Sequence, residues 1–282
     1  MKNIAKTRLV EVGSVKIGAG NPMVLICGPC VIEDADVMKR AADSICAIAD
    51  KLKMPLIFKS SYVKDNRSSE ESYQGPGLEK GLEILAHIRE QYKVPVLSDV
   101  HTPEEAKRAA EVLDVLQIPA YLSMQTSLAI AAGKTGKAVN IKKGQFLDPA
   151  DMEKVIGKIE RTGNKNILLT ERGASFGYHN LVVDMRSLVT MRALGYPVVY
   201  DPTHSVRVYG ISSSDPAGGR PEFIPALTRA GVATGIDVLF IESHPCVAEA
   251  KCDAASQLPI DQLENLLRQS LEIDAVVRAQ GN

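Results

Sequence analysis

No apolar run in this 282-residue chain approaches the roughly 20 residues needed to span a bilayer. The opening segment, MKNIAKTRLVEVG, also lacks the apolar core of a signal peptide. Net charge is only −1, so there is no excess positive charge for a nucleic-acid backbone or an acidic membrane surface. Cysteines number five (Cys27, Cys30, Cys46, Cys246, Cys252), an odd and small count for the length. That argues against a disulfide framework and for a reducing compartment. These absences together predict a cytoplasmic protein with no nucleic-acid and no membrane partner. Linkers, low-complexity tracts and composition shifts are missing too, which predicts one domain over 1–282. Hydrophobic residues make up 45% and charged residues 24%, enough for one large core.

What is present is a rhythm. Residues 7–18, TRLVEVGSVKIG, alternate and turn at Gly13-Ser14, which predicts an N-terminal β-hairpin. Apolar, β-rich runs follow at 23–27, 55–58, 94–97, 114–118, 138–141, 166–169, 197–200 and 237–241. Helical stretches separate many of them, at 34–51, 77–91, 103–113 and 149–161, and one at 259–279 closes the chain. Eight strands alternating with helices predict an α/β fold, a single (β/α)8 TIM barrel. An open doubly wound sheet is the rival. The polar strand ends decide against it, because special residues follow all eight runs instead of gathering at one crevice. The Gly/Ser/Pro-rich segment 205–222 reads as a lid loop over the site.

The richest strand end is FKSSYVKDNRSS at 58–69. Lys59, Lys64, Asn66, Arg67 and hydroxyls such as Ser68 form an anion receptor, the Arg offering a planar fork and the Lys a movable charge. Lys142-Lys143-Gly144-Gln145 and Arg172 add more positive charge than one phosphate needs, which suits two phosphorylated ligands or a phosphate with a carboxylate. Period-two alternation should turn one of Lys142 and Lys143 toward the helices, to pair with a surface carboxylate. Cys30, His204, Glu242 and Asp253 offer a thiolate, an imidazole and two carboxylates, a set suited to zinc, iron or manganese. Cys27-x-x-Cys30 does read as CxxC, but Cys27 falls inside the first strand, and no compact motif joins the four, so only their convergence on one rim would make a site. Cys27 reads as core, and Cys252 and Cys246 as bystanders.

GPCVIE at 28–33, KSSYVKDNRSS at 59–69, KTGKAVNIKKGQF at 134–146, LTERGASFGYHNLVVDMRS at 169–187, DPTHSV at 201–206, FIESHP at 240–245 and AKCDAASQLP at 250–259 occur in this order. Together they resemble the 3-deoxy-D-manno-octulosonate 8-phosphate synthase family over almost the whole chain. The resemblance implies a transferase that condenses phosphoenolpyruvate with D-arabinose 5-phosphate and releases inorganic phosphate, for lipopolysaccharide inner-core synthesis. It implies a homotetramer, and a metal-dependent class marked by Cys30. It implies that Lys59, Lys64, Lys142, Gln145, Arg172 and His204 surround phosphoenolpyruvate. Asn66, Arg67 and Ser68 match positions holding the sugar phosphate, with Asp253 near its hydroxyls. Lys137 matches a basic position that reaches the neighbouring subunit's sugar phosphate. By the same resemblance Lys59, Lys64, His204 and Asp253 are the catalytic candidates.

The chain departs from the family pattern at Val63 and Asp65, and at Met124 and Ser127, where an Arg and an Asp are usual. Arg207 in the lid segment is the candidate replacement for that lost cation. Two rival activities remain at this point. One is 3-deoxy-D-arabino-heptulosonate 7-phosphate synthesis from erythrose 4-phosphate. The other is a Schiff-base aldolase using Lys142 or Lys59.

Overall fold

A computed structural model describes residues 6–66, 71–175, 180–212 and 215–281. Arg67 and Ser68, two of the sugar-phosphate candidates, lie outside them. The hairpin forms as β1 (Val10–Val12) and β2 (Val15–Ile17), antiparallel, with Val12 opposite Val15. The eight apolar runs become β3 (Val24–Gly28), β4 (Leu56–Lys59), β5 (Val96–Asp99), β6 (Val115–Ile118), β7 (Ala138–Lys142), β8 (Ile167–Glu171), β9 (Val198–Tyr200) and β10 (Val238–His244). Each pairs in parallel with the next, and β10 pairs back onto β3, so the sheet closes into a barrel. Closure leaves no edge strand among these eight.

Helices cover the outside. The sequence-based spans are met by α1 (Ala35–Leu52), α2 (Leu78–Tyr92), α3 (Pro103–Ala109) and α5 (Met152–Glu160), and α4 (Thr126–Lys134) forms where no helix was expected. They continue with α6 (Arg186–Ala193), the short α7 (Pro202–Ser205), α8 (Ile224–Ala233) and the closing α9 (Ile260–Gly281), which follows a two-residue strand, β11 (Leu258–Pro259). Local chemistry explains the starts. Asp34 caps α1 by accepting from the Val37 amide at 2.9 Å, and Thr102 caps α3 with Pro103 at its first position.

Period two divides each strand between two environments. Leu25, Cys27, Leu56 and Phe58 face outward into the core shared with the helices. Cys27 is therefore core, as its place in the alternation required, and burial pushes its thiol up. Val24, Ile26, Ile57, Leu97, Val115, Leu168, Val199 and Phe240 face inward. The hairpin's Val10, Val12, Val15 and Ile17 join that inner cluster. The alternation of β1 and β2 thus has a purpose: it presents an apolar face that closes one mouth of the barrel.

One glycine is demanded by close approach. A Cβ on Gly28, at the end of β3, would lie 1.9 Å from the carbonyl oxygen of Lys59. Gly28→Ala must push β3 and β4 apart where the site begins, and is expected to destabilise the fold by about 1–3 kcal/mol. A thermal melt unchanged within a degree would contradict this.

Candidate active site

The inward track turns polar at the carboxyl-terminal ends of the strands. Asp99, Gln117, Asn140 and Thr170, from four successive strands, form one hydrogen-bonded girdle. Gln117 donates to Asp99 at 2.6 Å, Asn140 to Gln117 at 2.8 Å, and Thr170 to Asn140 at 2.6 Å. Lys59, Lys142 and Glu242 continue that track on β4, β7 and β10, and Asp201 follows the end of β9. Phe240 lies below, its ring centroid 4.4 Å from the Lys142 ammonium and 5.7 Å from that of Lys59. The ring thus separates the apolar plug from the charged layer, and cations over its face are attracted to it.

One wall gathers acceptor atoms. The His204 Nε2 lies 3.5 Å from Glu242 Oε2 and 3.8 Å from Asp253 Oδ2. Asp253 Oδ2 also lies 3.5 Å from Cys30 Sγ. Two groups of three possible metal ligands result, His204–Glu242–Asp253 and Cys30–Cys252–Asp253, joined at Asp253. The four sequence-derived candidates are therefore split between two adjoining groups, Cys30 with Asp253 in one and His204 and Glu242 with Asp253 in the other. Asp201 sets the imidazole: its Oδ2 takes the Nδ1 side at 2.6 Å, leaving Nε2 to face the carboxylates. Burial holds His204 below the ordinary histidine range, which favours the neutral ring a metal ion requires. Burial, then Cys252 and Asp253, push the Cys30 thiol well up; a cation at this point would reverse that balance. Asp253 has φ of +49°, in the left-handed region, which points to a backbone held for its side chain's sake.

The buried charges around this wall are paired. Lys59 donates to Glu242 and, at 2.8 Å, to the Cys30 carbonyl. Burial works against ionised Glu242, yet His204, Lys59 and Lys64 hold its carboxyl below the usual range. Lys64 reaches Asp99 at 3.1 Å, and Lys142 reaches Asp201 at 2.7 Å. Burial pulls the Lys142 amine below the ordinary lysine range, although Asp201 and Glu242 oppose it.

Lys64, Asp99 and Lys142 open onto a cavity of 720 Å³. Lys64, Lys142, Gln145, Arg172 and His204 line it together with Asn66 and Asp253. Arg207 lines it as well, its Nη1 donating to the Gly218 carbonyl at 2.8 Å. Lys64, Lys142 and Arg172 thus share one chamber with His204 and Asp253, while Cys30, Lys59 and Glu242 lie behind its lining.

Several sequence expectations are corrected. Cys252 is no bystander, since its Sγ lies 2.9 Å from that of Cys30. The fold hides this from the sequence, because 222 residues separate the two thiols. Lys143 does turn away from the cavity, but its carboxylate is the buried Glu171, at 3.7 Å, rather than a surface group. Lys137 precedes β7, at the opposite end of the strand from Lys142 and away from this cavity; Asn164 donates to its carbonyl at 2.8 Å. Met124 packs against the helix-side core, and Ser127 is exposed on α4. Three functional-looking groups were missed. Asp201 and Asp99 sit at strand ends that were noted without a role. Gln257 accepts from the Cys30 amide at 3.1 Å and donates to the Cys252 carbonyl at 2.8 Å, tying two distant segments of the site together.

Residues 3–279 match the DAHP synthetase I family. A 2-dehydro-3-deoxyphosphooctonate aldolase of Trichlorobacter lovleyi is 54% identical over 272 residues, 96% of this chain and 100% of that protein. The proteins of the same name from Geobacter metallireducens and Geobacter sulfurreducens are 52% and 49% identical, again over 96% of this chain and 100% of theirs.

Proposed function

From the premise that this chain belongs to the DAHP synthetase I family, we infer that it condenses phosphoenolpyruvate with D-arabinose 5-phosphate. The products are 3-deoxy-D-manno-octulosonate 8-phosphate and inorganic phosphate, and the enzyme is a transferase of lipopolysaccharide biosynthesis. The eight-carbon product in the relatives' name favours this over the heptulosonate reaction. The observation that supports the reading is the shared chamber, which Lys142 and Arg172 line together with His204 and Asp253, two members of the His204–Glu242–Asp253 group.

The chemistry asks for such a chamber. Phosphoenolpyruvate is a weak nucleophile at its methylene carbon. Its attack on the aldehyde leaves positive character at the central carbon, water adds there, and phosphate departs. Two anions must be held close despite their repulsion, which fixed cations do at no cost of reorganisation. In this reading Lys142, Gln145 and Arg172 hold phosphoenolpyruvate. Lys64 belongs with that set, and Asn66, Arg67 and Ser68 hold the sugar phosphate. Asp201 keeps the proton on His204 Nδ1, and Lys59 keeps Glu242 ionised.

Cys30, His204, Glu242 and Asp253 would hold a divalent metal ion (zinc, iron or manganese), and the mixed thiolate, imidazole and carboxylate donors fit such an ion. When bound, it supplies a Lewis acid beside the aldehyde. A homotetramer is part of the proposal, and Lys137 then serves a neighbour's cavity. No described helix is long and apolar enough to cross a membrane, which is compatible with a cytoplasmic enzyme.

A phosphate-release assay tests the activity. Arabinose 5-phosphate is expected to be preferred over erythrose 4-phosphate by about tenfold or more in kcat/KM. Borohydride with substrate should leave no adduct on Lys59 or Lys142. The reverse sugar preference, or a trapped adduct, would overturn the assignment.

A further inference from the structure

Arg172 and Gln145 are both nearly fully buried, at 6% and 5% exposure, yet among the described residues each has an unpartnered atom: the Arg172 Nε and the Gln145 Oε1. Their remaining donors converge on one oxygen. The Tyr209 hydroxyl accepts from Arg172 Nη1 at 2.9 Å and from Gln145 Nε2. The guanidinium also lies 5.9 Å from the Tyr209 ring centroid. A buried guanidinium therefore has a phenol as its partner where a carboxylate or phosphate would bind more strongly.

The backbone on either side of Tyr209 differs. Val208 is anchored, its amide donating to the Gly218 carbonyl at 3.0 Å and its backbone bridging to Asn180. Gly210 is exposed, with φ of +85°, a conformation glycine adopts freely. The ring thus hangs from a fixed residue with a permissive one behind it. Gln145, Arg172, Tyr209 and Gly210 all line the cavity.

We propose that Tyr209 is a latch on the phosphoenolpyruvate subsite, its hydroxyl oxygen standing where an anionic oxygen of the ligand binds. The inference rests on the function proposed above. An entering oxyanion takes the two donors because a charge-assisted hydrogen bond is roughly twice as strong as a neutral one. A neutral hydroxyl or carbonyl gains too little to displace the phenol. Tyr209 therefore lowers the affinity of every ligand that needs these two donors by the same factor, set by the fraction of molecules in which the phenol is displaced, and it returns to Arg172 and Gln145 when the anion leaves.

The test is Tyr209→Phe, which keeps the ring and removes only the competing oxygen. Its dissociation constant for phosphoenolpyruvate, and for inorganic phosphate alone, is expected to fall about 3- to 10-fold by calorimetry. KM for phosphoenolpyruvate should fall in parallel without a rise in kcat, and affinity for arabinose 5-phosphate should stay as in the parent. Tyr209→Leu, which also removes the ring, should show the same tightening. Unchanged or weaker binding of phosphoenolpyruvate by Tyr209→Phe overturns the latch while leaving the activity intact. A parent enzyme that binds no phosphoenolpyruvate overturns the functional reading, and the latch with it.

Discussion

Stripping the metal with a chelator is expected to cut condensation about 10³-fold or more, with the fold intact. A Lewis acid beside a reacting oxygen contributes several kcal/mol, and each 1.36 kcal/mol is a factor of ten in rate. Cys30→Ala should have the same sign, because Cys30 is one of the two thiols in the ligand wall. The variant should carry less zinc or iron by elemental analysis, and adding metal should restore it only partly. His204→Ala should be at least as damaging, since the imidazole also belongs to the pair with Asp201. Circular dichroism separates chemistry from folding. If turnover persists with metal content below one-tenth of an equivalent, the metal assignment is wrong and the cationic residues carry the reaction alone.

The second large effect is on stability and lies at the other end of the barrel. Asp237 precedes β10 and is fully buried. It accepts from Arg192 Nη1 at 2.8 Å and Nη2 at 3.1 Å, from the Val198 amide at 2.9 Å and from Thr7 at 3.4 Å. Burial keeps its carboxyl above the usual range even with Arg192 alongside. Arg192→Met would leave a buried carboxylate without its cation, a loss of about 3–5 kcal/mol. In a chain of this size that lowers Tm by roughly 10 °C. Adding Asp237→Asn to it should recover much of the loss, because the charge goes while an acceptor for the Val198 amide stays. Activity below the melting range should not change, since the pair lies at the plugged mouth. A Tm shift under about 2 °C would show that the pair contributes far less than its burial implies.

The two ends of the barrel divide the labour, as they do in this fold generally. The hairpin, the apolar inner track and Asp237 hold the closed mouth. The open mouth concentrates buried charge, left-handed Asp253 and the loop that carries Tyr209. Stability is spent at the second for what the first supplies.

How far the chain itself specified this follows from the range of each signal. Strand and helix order is written locally, in period-two apolar runs, caps such as Asp34 and Thr102, and the polar residues that end each run. Those signals sufficed for the barrel, its hairpin and the ring of Lys59, Lys142, Arg172, His204 and Glu242, because parallel strands bring all their ends to one rim. Contacts between rim residues far apart in sequence were decided only by closure and loop packing. Cys252 came to Cys30, Gln257 joined their two segments, Glu171 took Lys143, and Tyr209 settled on Arg172. No local pattern encodes those meetings, because each depends on how two loops cross a space that exists only once the barrel has closed.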